Sequence, residues 1–165
     1  MRRKMLTLLF LALPFVLLTN LSAGQNEGGS VTGRVSLTNR EGAIINGDWV
    51  RVFLTAEPIK IPEVDLEAVE IPLERQSRIN SGHMEFFVNF RRKQDEPGFV
   101  VDNKLTRPDG TFAFHQVPAG RYYVVITFPT MIAGFKCAWQ VAVEVGGGQD
   151  VQVELNNGNL AVPAY

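Results

Sequence analysis

The sequence has little of the residue types that usually indicate a chemical function directly. Cys137 is the only cysteine, so no disulfide within the chain can stabilise the fold. His83 and His115 are the only histidines, and no His-x-His motif, cysteine pair or carboxylate cluster at metal-ligand spacing accompanies them. We therefore predict no metal site, no cofactor and no catalytic centre, and interpret the chain as not an enzyme.

Neither sign of charge dominates. The 165 residues hold 16 Lys and Arg against 17 Asp and Glu, a formal net charge of −1. Residues 1–23 contain three basic and no acidic residues, so their removal would take the net charge to −4. A mildly acidic chain without a basic stripe is a poor match for a phosphate backbone, and we expect no nucleic-acid partner.

No apolar run is long enough for a comfortable membrane span. Residues 6–18 form an apolar run of 13 residues, preceded by Arg2, Arg3 and Lys4 and followed by Leu21-Ser22-Ala23. This order is typical of a secretory signal peptide, which we assign to residues 1–23. We predict a bacterial protein exported to the periplasm or the extracellular space, with no membrane span after cleavage. An uncleaved leader that acts as an anchor is the alternative.

Removal of 23 of the 165 residues leaves 142, enough for one domain with an ordinary core. Residues 24–30 are rich in Gly, Asn and Gln and are predicted to be a flexible lead-in. The folded domain is assigned to residues 31–155, and residues 156–165 to a C-terminal tail.

The clearest structural signal lies in residues 107–127. Asp109-Gly110 is a tight-turn sequence, because Gly accepts a positive φ at no steric cost. Phe112 and Phe114 then alternate with smaller or polar residues, which predicts a half-buried strand with both rings in the core. Pro118-Ala119-Gly120 predicts a second turn before a β-branched and aromatic strand. We interpret the stretch as a hairpin of an antiparallel sheet.

Alternation of apolar and polar residues recurs along much of the chain. It is clear in residues 31–38, 49–55, 137–145 and 151–155, and Gly146–Gly148 is interpreted as a hairpin loop. In residues 49–55 both faces are rather apolar, so we expect another element to cover the outer face. About seven short strands at this spacing predict an all-β fold, an antiparallel β-sandwich.

Residues 56–98 depart from this pattern. Pro58, Pro62 and Pro72 exclude a continuous helix or central strand from the first part. Residues 83–92 fit a strand or a helix, and we favour a helix, with Asn80 or Ser81 as its cap and Pro97-Gly98 as its stop. We expect this insertion to be a functional surface that can be removed without unfolding the sandwich. Alternatively, its aromatic side chains cover Trp49 and Phe53.

Several motifs occur in the order typical of one family. They are Gly33-Arg34-Val35, Gly47-Asp48-Trp49-Val50, Asp109-Gly110-Thr111-Phe112-Ala113-Phe114, Val117-Pro118-Ala119-Gly120-Arg121-Tyr122, Gly134-Phe135 and Val151-Gln152-Val153-Glu154-Leu155. In these residues the chain resembles the carboxypeptidase regulatory-like domain of the transthyretin-like (prealbumin-like) and Cna B-type sandwich group. The resemblance covers residues 30–55 and 99–155. It implies an accessory extracytoplasmic module that binds or spaces other molecules and is normally not catalytic.

Three functions follow from this resemblance and the insertion. The first is a non-enzymatic binding or structural module that docks another extracytoplasmic protein. The second is a carbohydrate-binding module, for which the aromatic residues would supply a stacking platform. The third and remote one is a hydrolase of the transthyretin-like type, which the chain's ending and the position of its first histidine disfavour. We place the candidate binding surface on eight residues: His83, Phe86, Phe87, Phe90, Arg91, Arg92, Phe135 and Trp139.

Overall fold

A computed structural model describes residues 28–67 and 69–164, so the predicted signal peptide and residues 24–27 of the lead-in lie outside the described residues. In these described ranges the elements are eleven strands, one α-helix and a 3₁₀ turn at Asn157–Asn159. In chain order they are β1 (Gly29–Thr38), β2 (Ile44–Asn46), β3 (Arg51–Thr55), α1 (Pro72–Gln94), β4 (Val100–Leu105), β5 (Thr111–Val117), β6 (Gly120–Ile126), β7 (Met131–Ile132), β8 (Phe135–Lys136), β9 (Ala138–Val145), β10 (Asp150–Leu155) and β11 (Leu160–Val162).

Two sheets form the sandwich. In the first sheet, β1 pairs with β10 and β2, and also with β5. The second sheet has the order β11-β9-β6-β3-β4, and β7 and β8 make a separate short ribbon. The prediction of an all-β sandwich is confirmed. One pairing differs from the expected antiparallel arrangement, because β1 and β10 run parallel, with Val31 opposite Val151 and Val35 opposite Leu155.

The main core lies between the two sheets. Alternation along β1 buries Val31, Val35 and Leu37 there, and Trp139 enters the core from β9 without any exposed surface. Phe112 and Phe114 of β5 are 5% and 0% exposed and pack on each other with ring centroids 5.7 Å apart. The prediction that both rings face the core is therefore confirmed.

The turn of Asp109-Gly110 is also as predicted. Gly110 has φ +81°, and a Cβ there would collide with the carbonyl oxygen of Val35. Asp109 Oδ1 accepts hydrogen bonds from the backbone N–H of Thr111 (3.0 Å) and from its hydroxyl (2.7 Å). These bonds hold the pKa of Asp109 below its usual range, since they stabilise the charged carboxylate.

The two predicted hairpins are arches instead. β5 pairs with β1 in the first sheet, whereas β6 pairs with β3 and β9 in the second, so Pro118-Ala119 carries the chain from one sheet to the other. The loop of Gly146–Gly148 likewise joins β9 of the second sheet to β10 of the first. The physical reason is that the apolar faces of β5 and β6 are buried against each other across the core, not side by side.

Residues 83–92 are helical, and the choice of a helix over a strand is confirmed. The predicted cap is wrong, because α1 begins well before Asn80 and Ser81, which lie inside the helix. Its first residue is Pro72, whose missing N–H is no loss at a first helical position. The last turn carries Arg91, Arg92 and Lys93, as a helix C-terminus favours.

The helix covers the outer face of the second sheet and makes a second core. Ile79, Phe86 and Phe90 of α1 pack with Phe99, Val125 and Val162, and all six are at most 5% exposed. Phe53 and Phe90 have ring centroids 4.6 Å apart. The expected covering is thus confirmed for Phe53 but not for Trp49, which is 65% exposed. The buried rings of the insertion are as enclosed as those of the main core, which favours the alternative that the insertion is part of the folding unit.

Other contacts bind the flanking segments to the second sheet. Gln140 of β9 accepts a hydrogen bond from Ile59 N (2.7 Å) and donates one to Ile59 O (2.9 Å). In the predicted tail, β11 pairs with β9, and Trp139 Nε1 donates to Asn156 O (2.9 Å). In the part of the chain that the structure describes, no helix has the length and apolar character needed to cross a bilayer.

Candidate functional site

A groove of about 660 Å³ opens where two strands of the second sheet separate. β3 pairs with β6 only from Phe53 to Thr55, opposite Tyr123–Val125. Before Phe53, residues 48–51 do not pair with the chain that follows β6, and residues from the C-terminal half of α1 line the space between them. We call this space the aromatic groove, lined by Asp48, Trp49, Val50, Arg51, Phe53, Phe87, Phe90, Arg91, Gln94, Leu105, Thr127, Phe128, Pro129, Thr130 and Met131.

Aromatic rings supply much of its wall. Phe87 of α1 meets Phe128 edge-on, with ring centroids 5.5 Å apart, and joins the helix to the loop after β6. Phe53 and Phe90 are part of the second core and form the base. Phe87 and Phe128 are half-buried, so each offers a ring surface to the groove while it is anchored by the other.

Trp49 lies at the rim in an unusual conformation. Its side chain is 65% exposed, although Trp is among the residues with most to gain from burial. Its backbone φ is +53°, a left-handed conformation that costs a bulky residue roughly 1–2 kcal/mol. The buried Val50 follows directly, and its N–H donates to Thr106 Oγ1 (2.8 Å). The fold therefore holds a strained tryptophan in solvent beside an aromatic groove, which is a combination typical of binding sites.

Polar groups are placed on each wall of the groove. Arg91 Nη1 donates to Gln94 Oε1 (2.8 Å), and Arg51 Nη1 donates to Asn103 Oδ1. Within the described residues, neither arginine forms a salt bridge, and neither does Asp48. Thr127 is 5% exposed, and its hydroxyl is the buried side-chain polar atom that has no hydrogen-bond partner in that part of the chain.

The structure divides the eight residues of the predicted surface into two groups. Four of them are at most 2% exposed and offer a partner almost no surface, which corrects their assignment: His83, Phe86, Phe90 and Trp139, of which only Phe90 lies at the groove, in its base. The reason is that the helical stripe on α1 faces the sheet and that alternation in β9 directs Trp139 into the main core. Of the other four, Phe87 and Arg91 line the aromatic groove.

The remaining two lie elsewhere. Arg92 is exposed, one residue beyond Arg91 on the helix, and does not line the groove. Phe135 of β8 is half-buried against the main core and lines a separate pocket with Asn39 and Arg40. The predicted surface is thus not one site. A role for Arg92 or Phe135 in binding stays a prediction.

His83 has a structural environment. Its Nε2–H donates to the carbonyl oxygen of Pro163 (3.0 Å), which ties α1 to the C-terminal segment. Burial lowers the pKa of His83, and the nearby charge of Lys136 lowers it further. Lys136 Nζ itself donates to Asn80 Oδ1 (2.7 Å) and lies 6.0 Å from the Phe128 ring centroid. We expect a neutral imidazole in the folded protein at pH 7.

Cys137 is fully buried in the main core, as the apolar alternation of β9 indicated. Burial raises the pKa of the thiol to about 11, so the thiolate is not populated near neutral pH. Among residues 28–67 and 69–164, no three potential metal-ligating side chains of His, Cys, Asp or Glu come together.

Sequence reasoning missed most of the groove. Trp49 entered as a ring that the insertion would cover, and Arg51, Thr127, Phe128 and Met131 were not among the eight candidate residues. The loop after β6 carries no turn or motif signal that would place it beside α1. One signal was present: Trp49 directly follows the turn sequence Gly47-Asp48 and stands at the very start of the predicted strand, where a side chain can extend past the sheet.

Comparison with known proteins gives structural similarities only. No protein-family model matches the chain, and no curated protein matches it. A candidate carbohydrate-binding protein of Pseudomonas aeruginosa is similar in structure, with 19% identity, a TM-score of 0.44 and coverage of 81% of this chain and 92% of that protein. The minor pilin of Streptococcus agalactiae matches with 12% identity, a TM-score of 0.44 and coverage of 78% and 43%.

The major pilin of Corynebacterium diphtheriae matches with 15% identity, a TM-score of 0.40 and coverage of 78% of this chain and 29% of the pilin. The chain therefore spans less than half of either pilin. At these identities and scores, the assignment to a β-sandwich rests on the strand pairing of this chain itself.

Proposed function

We propose that the mature chain is a non-enzymatic, extracytoplasmic binding module that docks another protein through the aromatic groove. The observation that carries the proposal is Trp49, which is 65% exposed at φ +53° on the groove rim. If the exposed, strained Trp49 had no function, its replacement by glycine or a smaller residue would relieve the backbone strain at no cost. Contact with a partner would bury the indole ring, and the free energy of that burial would offset the strain.

Two further features support a protein partner. Leu105 and Met131 line the groove and are 44% and 56% exposed, so the rim is apolar beyond its tryptophan. Exposed apolar side chains that are grouped in this way mark protein–protein contact surfaces. The groove is also built on a strand, a helix and a packed loop, which would give a partner a preformed surface.

The test is site-specific photo-crosslinking in the native envelope. A photoreactive residue replaces Met131 on the groove rim in one variant and Met84 in the other. Met84 is the matched control, since it is 44% exposed on α1 and outside the groove. We expect one adduct of defined mass from position 131 that is absent from position 84 and is lost when Trp49→Ala is added. Equal adducts from both positions, or none from 131, would contradict the proposal.

An oligosaccharide ligand is the second candidate. Trp49, Phe87 and Phe128 offer ring faces beside Arg91 and Gln94, and flat rings next to fixed hydrogen-bonding groups are suited to a sugar. Retention of the wild type but not of the Trp49→Ala variant on an envelope polysaccharide, without a protein adduct, would favour this function.

Export and family membership belong to the same proposal. Cleavage after Ala23 would leave a chain that starts at Gly24, five residues before β1 begins at Gly29. N-terminal sequencing of protein recovered from the envelope tests this, and a chain that retains residues 6–18 would show an anchor. Membership of the carboxypeptidase regulatory-like group is supported by the Asp109-Gly110 turn and by the buried pair Phe112 and Phe114.

A further inference from the structure

Two arginines and one aspartate, Asp48, line the aromatic groove, which gives it a formal charge of +1. Arg51 is in β3 and Arg91 is in α1, and both line the groove. Each has one side-chain hydrogen bond, to Asn103 and to Gln94 respectively, and no carboxylate partner in the described part of the chain. A guanidinium has five N–H donors, so most of the donors on both arginines are free to bind an anionic group.

The rim of the groove is complementary to an apolar side chain. Trp49, Leu105 and Met131 are all more than 40% exposed. A leucine or methionine side chain cannot hydrogen-bond the hydroxyls of a sugar, whereas both pack well on an aliphatic or aromatic side chain. The rim therefore favours a peptide over an oligosaccharide.

Thr127 supplies an independent indication of a polar ligand group. The residue is only 5% exposed, yet its hydroxyl bonds to no described residue. A buried hydroxyl without a partner costs roughly 1–3 kcal/mol, and most native proteins avoid that cost. Because Thr127 lines the groove, a rotation about its χ1 that turned the hydroxyl toward the groove would let a backbone amide of an extended ligand satisfy it.

We infer that the aromatic groove binds an extended peptide segment in which a large apolar residue lies next to, or one residue from, an aspartate or glutamate. The apolar side chain packs on Trp49 and Met131, and the carboxylate pairs with Arg91. This inference rests on the proposed function and adds the chemistry of the partner segment.

Peptide selection followed by matched titrations tests it. Phage-displayed random 12-residue peptides are selected on the mature wild-type protein and counter-selected on the Trp49→Ala variant. We expect the enriched sequences to share an acidic residue within two positions of Phe, Leu, Met, Ile or Trp. The best sequence is then synthesised with its acidic residue intact and with Gln or Asn in that place.

Two helix variants give the decisive comparison. Arg91→Gln and Arg92→Gln remove the same charge from adjacent positions, but only Arg91 lines the groove. We expect Arg91→Gln to weaken binding of the acidic peptide about tenfold, as a charge-assisted hydrogen bond implies, and to leave binding of the amide peptide unchanged. Arg92→Gln should change either affinity less than about twofold. Isothermal titration measures all four combinations.

Each other outcome overturns the inference. Three results would show that the groove does not bind an acidic and apolar segment. They are enriched peptides that lack the acidic and apolar pair, no enrichment at all, and equal losses of affinity from Arg91→Gln and Arg92→Gln. If crosslinking from position 131 still captures a protein in that case, the proposed docking function stands and only the partner segment is wrong. If crosslinking also fails, both fall.

Discussion

The second core gives a direct test of whether the insertion belongs to the folding unit. Phe86 of α1 and Phe114 of β5 are the same residue type, and both are 0% exposed, but they lie in different cores. Truncation of a fully buried phenylalanine to alanine costs about 3–5 kcal/mol from lost burial and the cavity that remains. Against a typical domain stability of ~5–15 kcal/mol, either change removes a large share.

We therefore expect Phe86→Ala and Phe114→Ala to reduce the free energy of unfolding by similar amounts. Met84→Ala is the control on the same helix, since its side chain is 44% exposed, and it should cost less than about 1 kcal/mol. Urea unfolding is followed by circular dichroism at the helix band, which reports α1, and by tryptophan emission; all variants carry Trp49→Phe, so that the emission comes from Trp139, which is fully buried in the main core.

The two probes should show one coincident transition in the Trp49→Phe parent and in each variant, because the second sheet forms a wall of both cores. The reasoning would be refuted by a helix signal that is lost at lower urea than the Trp139 signal. It would also be refuted if Phe86→Ala moved only the helix transition and left that of Trp139 in place. Either result would restore the idea of a sandwich to which the helix is merely attached.

Three further predictions follow from single side chains. Trp49→Gly should leave the free energy of unfolding unchanged or raise it by up to ~1 kcal/mol, because glycine adopts φ +53° without strain. The same variant should lose the photo-adduct. A decrease of more than ~1 kcal/mol in urea unfolding would show that Trp49 is structural. The pKa of His83 is lowered from 6.5 in the folded state, so the unfolded chain takes up the proton first and stability should decline as the pH falls below about 6.5. Urea midpoints from pH 7.5 to 5.5 measure this decline, and His83→Gln, which keeps a donor for Pro163 O, should show a smaller slope; an equal slope would assign the effect to other groups. Because burial raises the pKa of Cys137 to about 11, a thiol reagent at pH 8 should label it only after unfolding, and rapid labelling of the native protein would mean that this part of the core opens.

Local rules were sufficient for much of the fold. The alternation in β1, β5 and β9 identified which residues face the core. Alternate side chains of a strand lie on the same face, so when one set is polar the other set must face the core. The Asp109-Gly110 turn was predictable because its φ requires glycine. The helix over residues 83–92 was correctly favoured from its aromatic stripe and basic C-terminal end.

Pairing between distant segments was not predictable in the same way. Whether the turn at Pro118-Ala119 makes a hairpin or an arch depends on the partners of β5 and β6, and a short turn sequence permits both. The groove depends on where β3 and β6 separate and on how the loop after Ile126 meets α1, which are contacts between residues far apart in the chain. The aromatic stripe of α1 was taken as a surface for binding because its covering sheet was not known, and this explains the error at Phe86 and Phe90.

Gln140 helps to fix the register of β9 within the second sheet. Neighbouring residues of β6, Val124 and Val125, are both fully buried, one in each core, so apolar character does not distinguish the two faces of that strand. β9 likewise sends Trp139 and Ala138 into opposite cores. A slip of one residue in β9 would exchange its two faces. It would also turn the Gln140 amide into the main core, away from both hydrogen bonds to Ile59, and leave buried donors and acceptors unpaired. The Gln140 amide therefore acts together with Glu144, which lies on the same face, to set which face of β9 meets which core.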